Sequence, residues 1–517
     1  MRRRAFSTLV AAGAALACAA VALTATADLA GDEARATKAR EAIFELDLDA
    51  AKSTLEGADP SDARLAVERA RRALYAGDCE LAAGLLSRPP LVDAEETKEL
   101  GAVARGCVRS TVGAVTVEDS ARGVWIRFQD DGDQVLAPFM FEVAARAREV
   151  FKDDLGTLLP SPIRIELVRD QYALSAMTGL PVTAARTTGT VAIAKWGRVI
   201  MVSPRAAPRG YSYLDTLAHE LSHLAQTRAS ADRAPLWLQE GVARIEESRW
   251  RPARPFDNVP SCDGLSALGI NQHIGPEIDE IGPSIAMLSS ATEAQVTYGK
   301  VQSFMRFYIR EAGAGALPKL LGALKGGEQS VNAAIEQVSG GSFASWKERW
   351  EKAVMASAEV LPDEVRPNAD PPKTLGETRK RVRLGELFAN RKEADPTLRG
   401  VDLLAARKEL QAAEGLAPRE AVIRARFAET LARLGDEPAA AALVADPADV
   451  YANDASWWAL RAILIPKETE AASNAALGLD PLDPLVACGT LDGAASPADP
   501  DRRALCEAAR ARPRAGR

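Results

Sequence analysis

"DTLAHELSHLAQT" (residues 215–227) holds two of the three histidines in this 517-residue chain. His219 and His223 are four apart, and Glu220 follows the first, which spells HExxH. Both a zinc site and a merely polar helix face carry that spelling. At 100° per residue the two histidines fall within about 40° of each other on a helix. Asp215, Thr216 and Gln226 share their side, while Leu214, Leu217, Leu221 and Leu224 share the other. The leucines make the core face. The histidines lie off it, so the alternative to a metal site is a solvated polar face. With histidine this scarce, HExxH rarely arises by accident. An i, i+4 pair aims two imidazole nitrogens at one ion at ~2.0–2.1 Å, and the intervening glutamate reaches a water beside that ion.

A catalytic zinc needs a third protein ligand and one open position. The continuation HExxHxxGxxH is excluded, because Gln226 and Ala229 occupy its Gly and final His places. The candidate lies in "APLWLQEGVARIEE" (234–247). Leu238, Val242 and Ile245 share a helical core face there, and Glu240 points away from it. The alternative is that Glu240 is a solvated surface acid, as Glu246 and Glu247 are expected to be.

HELSH followed by WLQEGVA resembles the peptidase-MA-like gluzincins, relatives of thermolysin and the zinc aminopeptidases. The likeness covers about 115–355, including the helical tail "YGKVQSFMRFYIREAGAGALPKLLGALKGG" and "GGSFASWKERW". It implies His219, His223 and Glu240 as ligands of one Zn2+ per chain, with Glu220 as general base. It also implies hydrolysis of peptide bonds by a zinc-activated water. Tyr298 resembles the tyrosine that donates to the oxyanion in the aminopeptidases; the other reading is a tyrosine packed at a helix start. His273, in "GINQHIGPE", is either a second donor or an exposed loop residue. The G-x-M-E-N motif that grips a free amino terminus is absent, which points to internal cleavage.

Around this centre the chain reads as helices, then a mixed α+β domain, then helices. Residues 28–110 and 379–517 carry apolar residues at helical spacing and resemble degenerate tetratricopeptide hairpins. Within 111–360, "GVWIRFQD" (123–130) and "IRIELV" (163–168) alternate as strands, with a helix at 134–152 between them. "TGTVAIAKWGRVIMVSP" reads as a hairpin turning at Trp196-Gly197. The run Arg198–Ser203 is expected to be an edge strand able to pair with an extended peptide. Residues 250–290 are expected to be irregular, with helices resuming at Thr297. A proline-rich linker is expected at 361–378. The fold expected is thus a thermolysin-like α+β domain between two tetratricopeptide-like regions. Those flanks give the rival function, a zinc-containing but non-catalytic protein-binding scaffold.

The first residues, "MRRRAFSTLVAAGAALACAAVALTATADLA", combine three arginines, an apolar run and Ala25-Thr26-Ala27. They read as an export signal over 1–27, which places the mature chain in a periplasmic or extracellular setting. An uncleaved anchor and lipidation at Cys18 are the alternatives. No other stretch is apolar enough to span a bilayer. Hydrophobic residues make up 47%, charged residues 26%, and the net charge is −7. That is enough for a buried core, with no basic surplus to suggest nucleic acid. The expected partners are a peptide or protein substrate and a protein bound by the helical flanks. Cys79 with Cys107 and Cys488 with Cys506 are the expected disulfides, leaving Cys262 single.

Overall fold

The computed structural model describes residues 31–511, apart from 60, 208–209, 328–329, 358, 392–395, 447–449, 452 and 492–495. The expected export signal lies outside the described residues. No described helix is long and apolar enough to cross a membrane.

Five strands form one mixed sheet: β1 (Val115–Asp119), β2 (Val124–Phe128), β3 (Ile163–Val168), β4 (Ala192–Lys195) and β5 (Arg198–Val202). Their order is β1-β2-β3-β5-β4. β2, β3 and β5 run parallel, while β1 and β4 close the two edges antiparallel to their neighbours. The strands expected at 123–130 and 163–168 and the hairpin at Trp196-Gly197 are all present. β1 escaped the sequence reading because "VTVED" is short and its alternation ends in two acids. The expected edge strand is a correction. Every residue of Arg198–Val202 is buried between β3 and β4, so β4 holds the edge.

Helix α1 (Ala137–Leu155) carries the crossover from β2 to β3 and packs on α2 (Tyr213–Ser230), the helix of the HExxH stretch. Leu214, Leu217, Leu221 and Leu224 are buried as expected. The opposite face is not solvated, which corrects the polar-face alternative. His219, Glu220, Ser222 and Gln226 are also buried, because β4, α3 (Leu236–Glu246) and further helices cover that side. Residues 250–290 contain a helix that was not expected, α4 (Cys262–Gln272), whose start is capped by Ser261 Oγ accepting from Gly264 N–H. α5 (Ala291–Ala312) begins six residues before Thr297, at the Ser290 cap. Three more helices follow to Ser357, as the sequence suggests.

The N-terminal helices from 31 to 111 pack on the sheet face through Val103, Leu174, Ile200 and Val202. The region 361–374 is irregular, and a helix starts at Leu375 inside the expected linker. The C-terminal helices do not stand apart. Helix Thr469–Leu479 packs on α2, and the Phe256 ring meets Tyr451 edge-on at 6.0 Å. Both expected disulfides are formed, and Cys262 is free and buried.

Candidate metal centre

α2 presents His219 and His223 on successive turns, and α3 presents Glu240 opposite them. The turn between the helices is tight: Ala231 and Asp232 both take left-handed backbone angles. Gln226 ties the pair together, donating to the Gln239 carbonyl at 3.0 Å and to Ser222 Oγ at 3.1 Å. Gly241 sets the depth of α3. A Cβ there would lie 2.5 Å from both the Val301 carbonyl oxygen and Met305 Cγ, so α3 rests directly on α5.

The result is a closed triangle. Glu240 Oε2 is 3.4 Å from His219 Nε2 and 3.6 Å from His223 Nε2. A tetrahedral ion with bonds of ~2.0–2.1 Å has ligand–ligand edges of about 3.3–3.4 Å, so these spacings suit one ion held by three ligands. Glu240 Oε2 is buried, and its neighbours are the two imidazoles, neither of which meets it in hydrogen-bond geometry, so it still lacks the partner that a buried carboxylate oxygen needs. Two imidazole nitrogens and one carboxylate form a donor set for a divalent transition ion. The residues present therefore fit a metal.

The electrostatics favour positive charge at the same point. Burial opposes ionisation of His219, but the Glu240 and Glu247 carboxylates against its two ring nitrogens outweigh it and raise its pKa to about 10. Burial likewise works against ionised Glu240, yet the His223 charge and contacts to both histidines hold it well below the usual carboxylate range. A cation held between the three side chains would meet the same carboxylates once the histidines are neutral.

Glu247 completes the site from behind, and sequence reasoning missed it. Its carboxylate lies 3.2 Å from His219 Nδ1 and accepts from Arg244 at 2.7 Å. Such a contact fixes the imidazole's orientation and leaves Nε2 for the ion. The signal was available: Glu247, which caps the end of α3 in helical conformation, is seven residues after Glu240 and so falls on the same side. Neither Glu246 nor Glu247 is the solvated acid expected. Glu246 is 3% exposed, and burial followed by the Asp154 charge pushes its pKa up to about 8.

Glu220 projects beside the triangle, and its Oε2 accepts from the Ala194 N–H of β4 at 2.5 Å. Burial raises its pKa, only partly offset by the histidine charges. Tyr298 on α5 brings its ring to 6.3 Å from that of His219. Burial first, then the Glu240 and Glu220 charges, push its pKa far up, so it stays a protonated hydrogen-bond donor. These groups line a cavity of about 450 Å³ whose other walls include β4, Leu180 and Pro181, and Pro283, Ser284, Ala286 and Met287. His273 is not among them; it is exposed at the C-terminal end of α4. Of the two readings the sequence left open, the structure agrees with the exposed residue.

The N-terminal turn of α2 is anchored separately. Asp215 accepts two bonds from Arg251, each 2.8 Å, and one from Trp250 Nε1 at 3.0 Å. Arg251 also grips Asp257. Asp215 lies on the histidine side of the helix but serves to hold the helix in place.

No family profile, curated protein or solved structure matches this chain. The class of the site therefore rests on its own residues: a two-histidine, one-glutamate group able to hold a metal ion, opening into a cavity.

Proposed function

We propose that this protein is an exported zinc metallopeptidase of the gluzincin type, cleaving within peptide chains. One observation carries the reading: Glu220 stands beside three converging ligands, with its carboxylate oriented by the edge strand that borders the cavity. His219, His223 and Glu240 would hold the zinc, and Glu247 would orient His219. Zinc there supplies Lewis acidity to a water and to the scissile carbonyl. Glu220 takes the proton from the attacking water at its carboxylate and passes it to the leaving amine; its raised proton affinity suits that task. Tyr298, kept protonated, donates to the oxygen on which charge develops. The open side of β4 offers backbone groups to an extended peptide, a pairing that accepts many sequences. The thermolysin-like fold belongs to the same proposal, supported by the motif pair and by the edge strand lying against the HExxH helix. Two formed disulfides support an oxidising, exported setting.

The test is metal content and turnover together. Protein purified without chelators is expected to hold about one zinc per chain. Glu220→Gln is expected to retain the zinc and lose about 10²-fold or more of its cleavage of a mixed-peptide library read by mass spectrometry. Equal cleavage by the variant would sink the base role, and metal-free protein would sink the site.

A further inference from the structure

A second cavity, of about 1270 Å³, lies far along the chain from the metal centre, on the helices that begin the C-terminal region. It runs along helix Leu375–Ala389 and is backed by Leu410 of helix Pro396–Leu416 and by Arg426 and Thr430 of helix Ala421–Arg433. Gly385 lets the first two helices touch at its floor, since a Cβ there would meet Leu410 Cγ at 2.5 Å.

Its charge runs against that of the chain. Five cations line it against two carboxylates, in a protein of net charge −7. Both carboxylates are already engaged: Glu386 by Arg426 at 3.2 Å, and Glu429 by Arg426 and Arg433. Lys380 and Arg391 have only loose, exposed pairings, at 4.0 and 3.4 Å. Arg379 and Arg383 are exposed and have no ion-pair partner among the described residues. One turn further along the same face stands Leu387, 65% exposed, where a leucine gains nothing from facing water.

We propose that this groove docks an acidic, extended peptide segment of a partner protein. Residues four apart on a helix are spaced about 6 Å along its axis. Alternate residues of an extended peptide are spaced about 6.6 Å. A segment of the form Asp-x-Asp-x-Leu therefore sets its carboxylates against Arg379 and Arg383 and its leucine against Leu387. The chain as a whole is net negative, which works against a long polyanion and favours a short segment. This inference does not depend on the peptidase reading.

The experiment uses the full chain and fluorescence anisotropy of a labelled Gly-Asp-Ser-Asp-Ser-Leu-Ser probe, beside the same peptide with Lys for Asp and a ten-residue thymidine oligonucleotide. The acidic probe is expected to bind at least about tenfold more tightly than the basic one, and to weaken as salt rises. Arg379→Glu/Arg383→Glu is expected to lose that preference by about tenfold and to gain the basic probe, with melting temperature and circular dichroism unchanged. If the double variant melts early, Lys380→Glu serves in its place, with the same sign expected. Unchanged binding by the charge-reversed protein overturns the proposal. So does an oligonucleotide that competes as well as the peptide, because the groove would then be a general polyanion surface.

Discussion

At the scale of single residues, the candidate metal site depends on a side chain outside the three converging residues. Glu247 holds His219 through Nδ1. Glu247→Ala is expected to weaken zinc binding by about 10–100-fold, measured by competition with a chelator. An unchanged affinity would make Glu247 a bystander. Glu246 behaves differently, because its pKa is pushed up to about 8 in the folded state. The native state then keeps a proton that the unfolded chain has already released. Its contribution to stability is complete below the ordinary carboxylate pKa and declines as pH rises towards 8. Glu246→Gln removes that penalty. The stability advantage of the variant, read from denaturant unfolding, should therefore widen from pH 5 to pH 8, by up to about 1.4 kcal/mol per pH unit. A constant difference across that window would contradict the assignment.

At the scale of elements, the site is a matter of helix seating. α3 carries Glu240 to the histidines only because Gly241 allows α3 to sit on α5. Gly241→Ala is expected to cost about 1–3 kcal/mol and to lower zinc affinity, since the obstruction is partly backbone and cannot rotate away. Thermal melts and metal titration of the same variant check both effects; loss of stability with intact affinity would separate seating from ligation. The helices themselves were legible in the sequence. Leucines at helical spacing marked α2, and Leu238, Val242 and Ile245 marked α3. α4 was not legible, because a Pro-, Gly- and Ser-rich stretch reads as loop until Ser261 is seen capping a helix. Glu247 was passed over because an acid pair at a helix end normally faces water, and only the packed His219 ring shows that it does not.

At the scale of the whole molecule, the C-terminal helices are part of what holds α2. Helix Thr469–Leu479 packs on it, and Arg254 reaches the Asn474 carbonyl at 3.5 Å while its neighbour Arg251 anchors Asp215. A chain ended at 360 is expected to melt at lower temperature and to bind a hydrophobic dye, because apolar surface on the central domain loses its cover. A truncated protein that melts with the full chain would show the C-terminal helices to be an independent appendage.

The sequence by itself marked the HExxH pair and its glutamate, the helical flanks, both cysteine pairs and the position of the hairpin. Each is a local matter, settled by spacing along the chain and by periodicity. Only the tertiary structure decided which strand is the edge, that the face bearing the histidines is covered, and that Glu247 stands behind His219. Strand order and the covering of a face depend on contacts between segments far apart in sequence. A strand's own residues do not record which neighbour will pair with it.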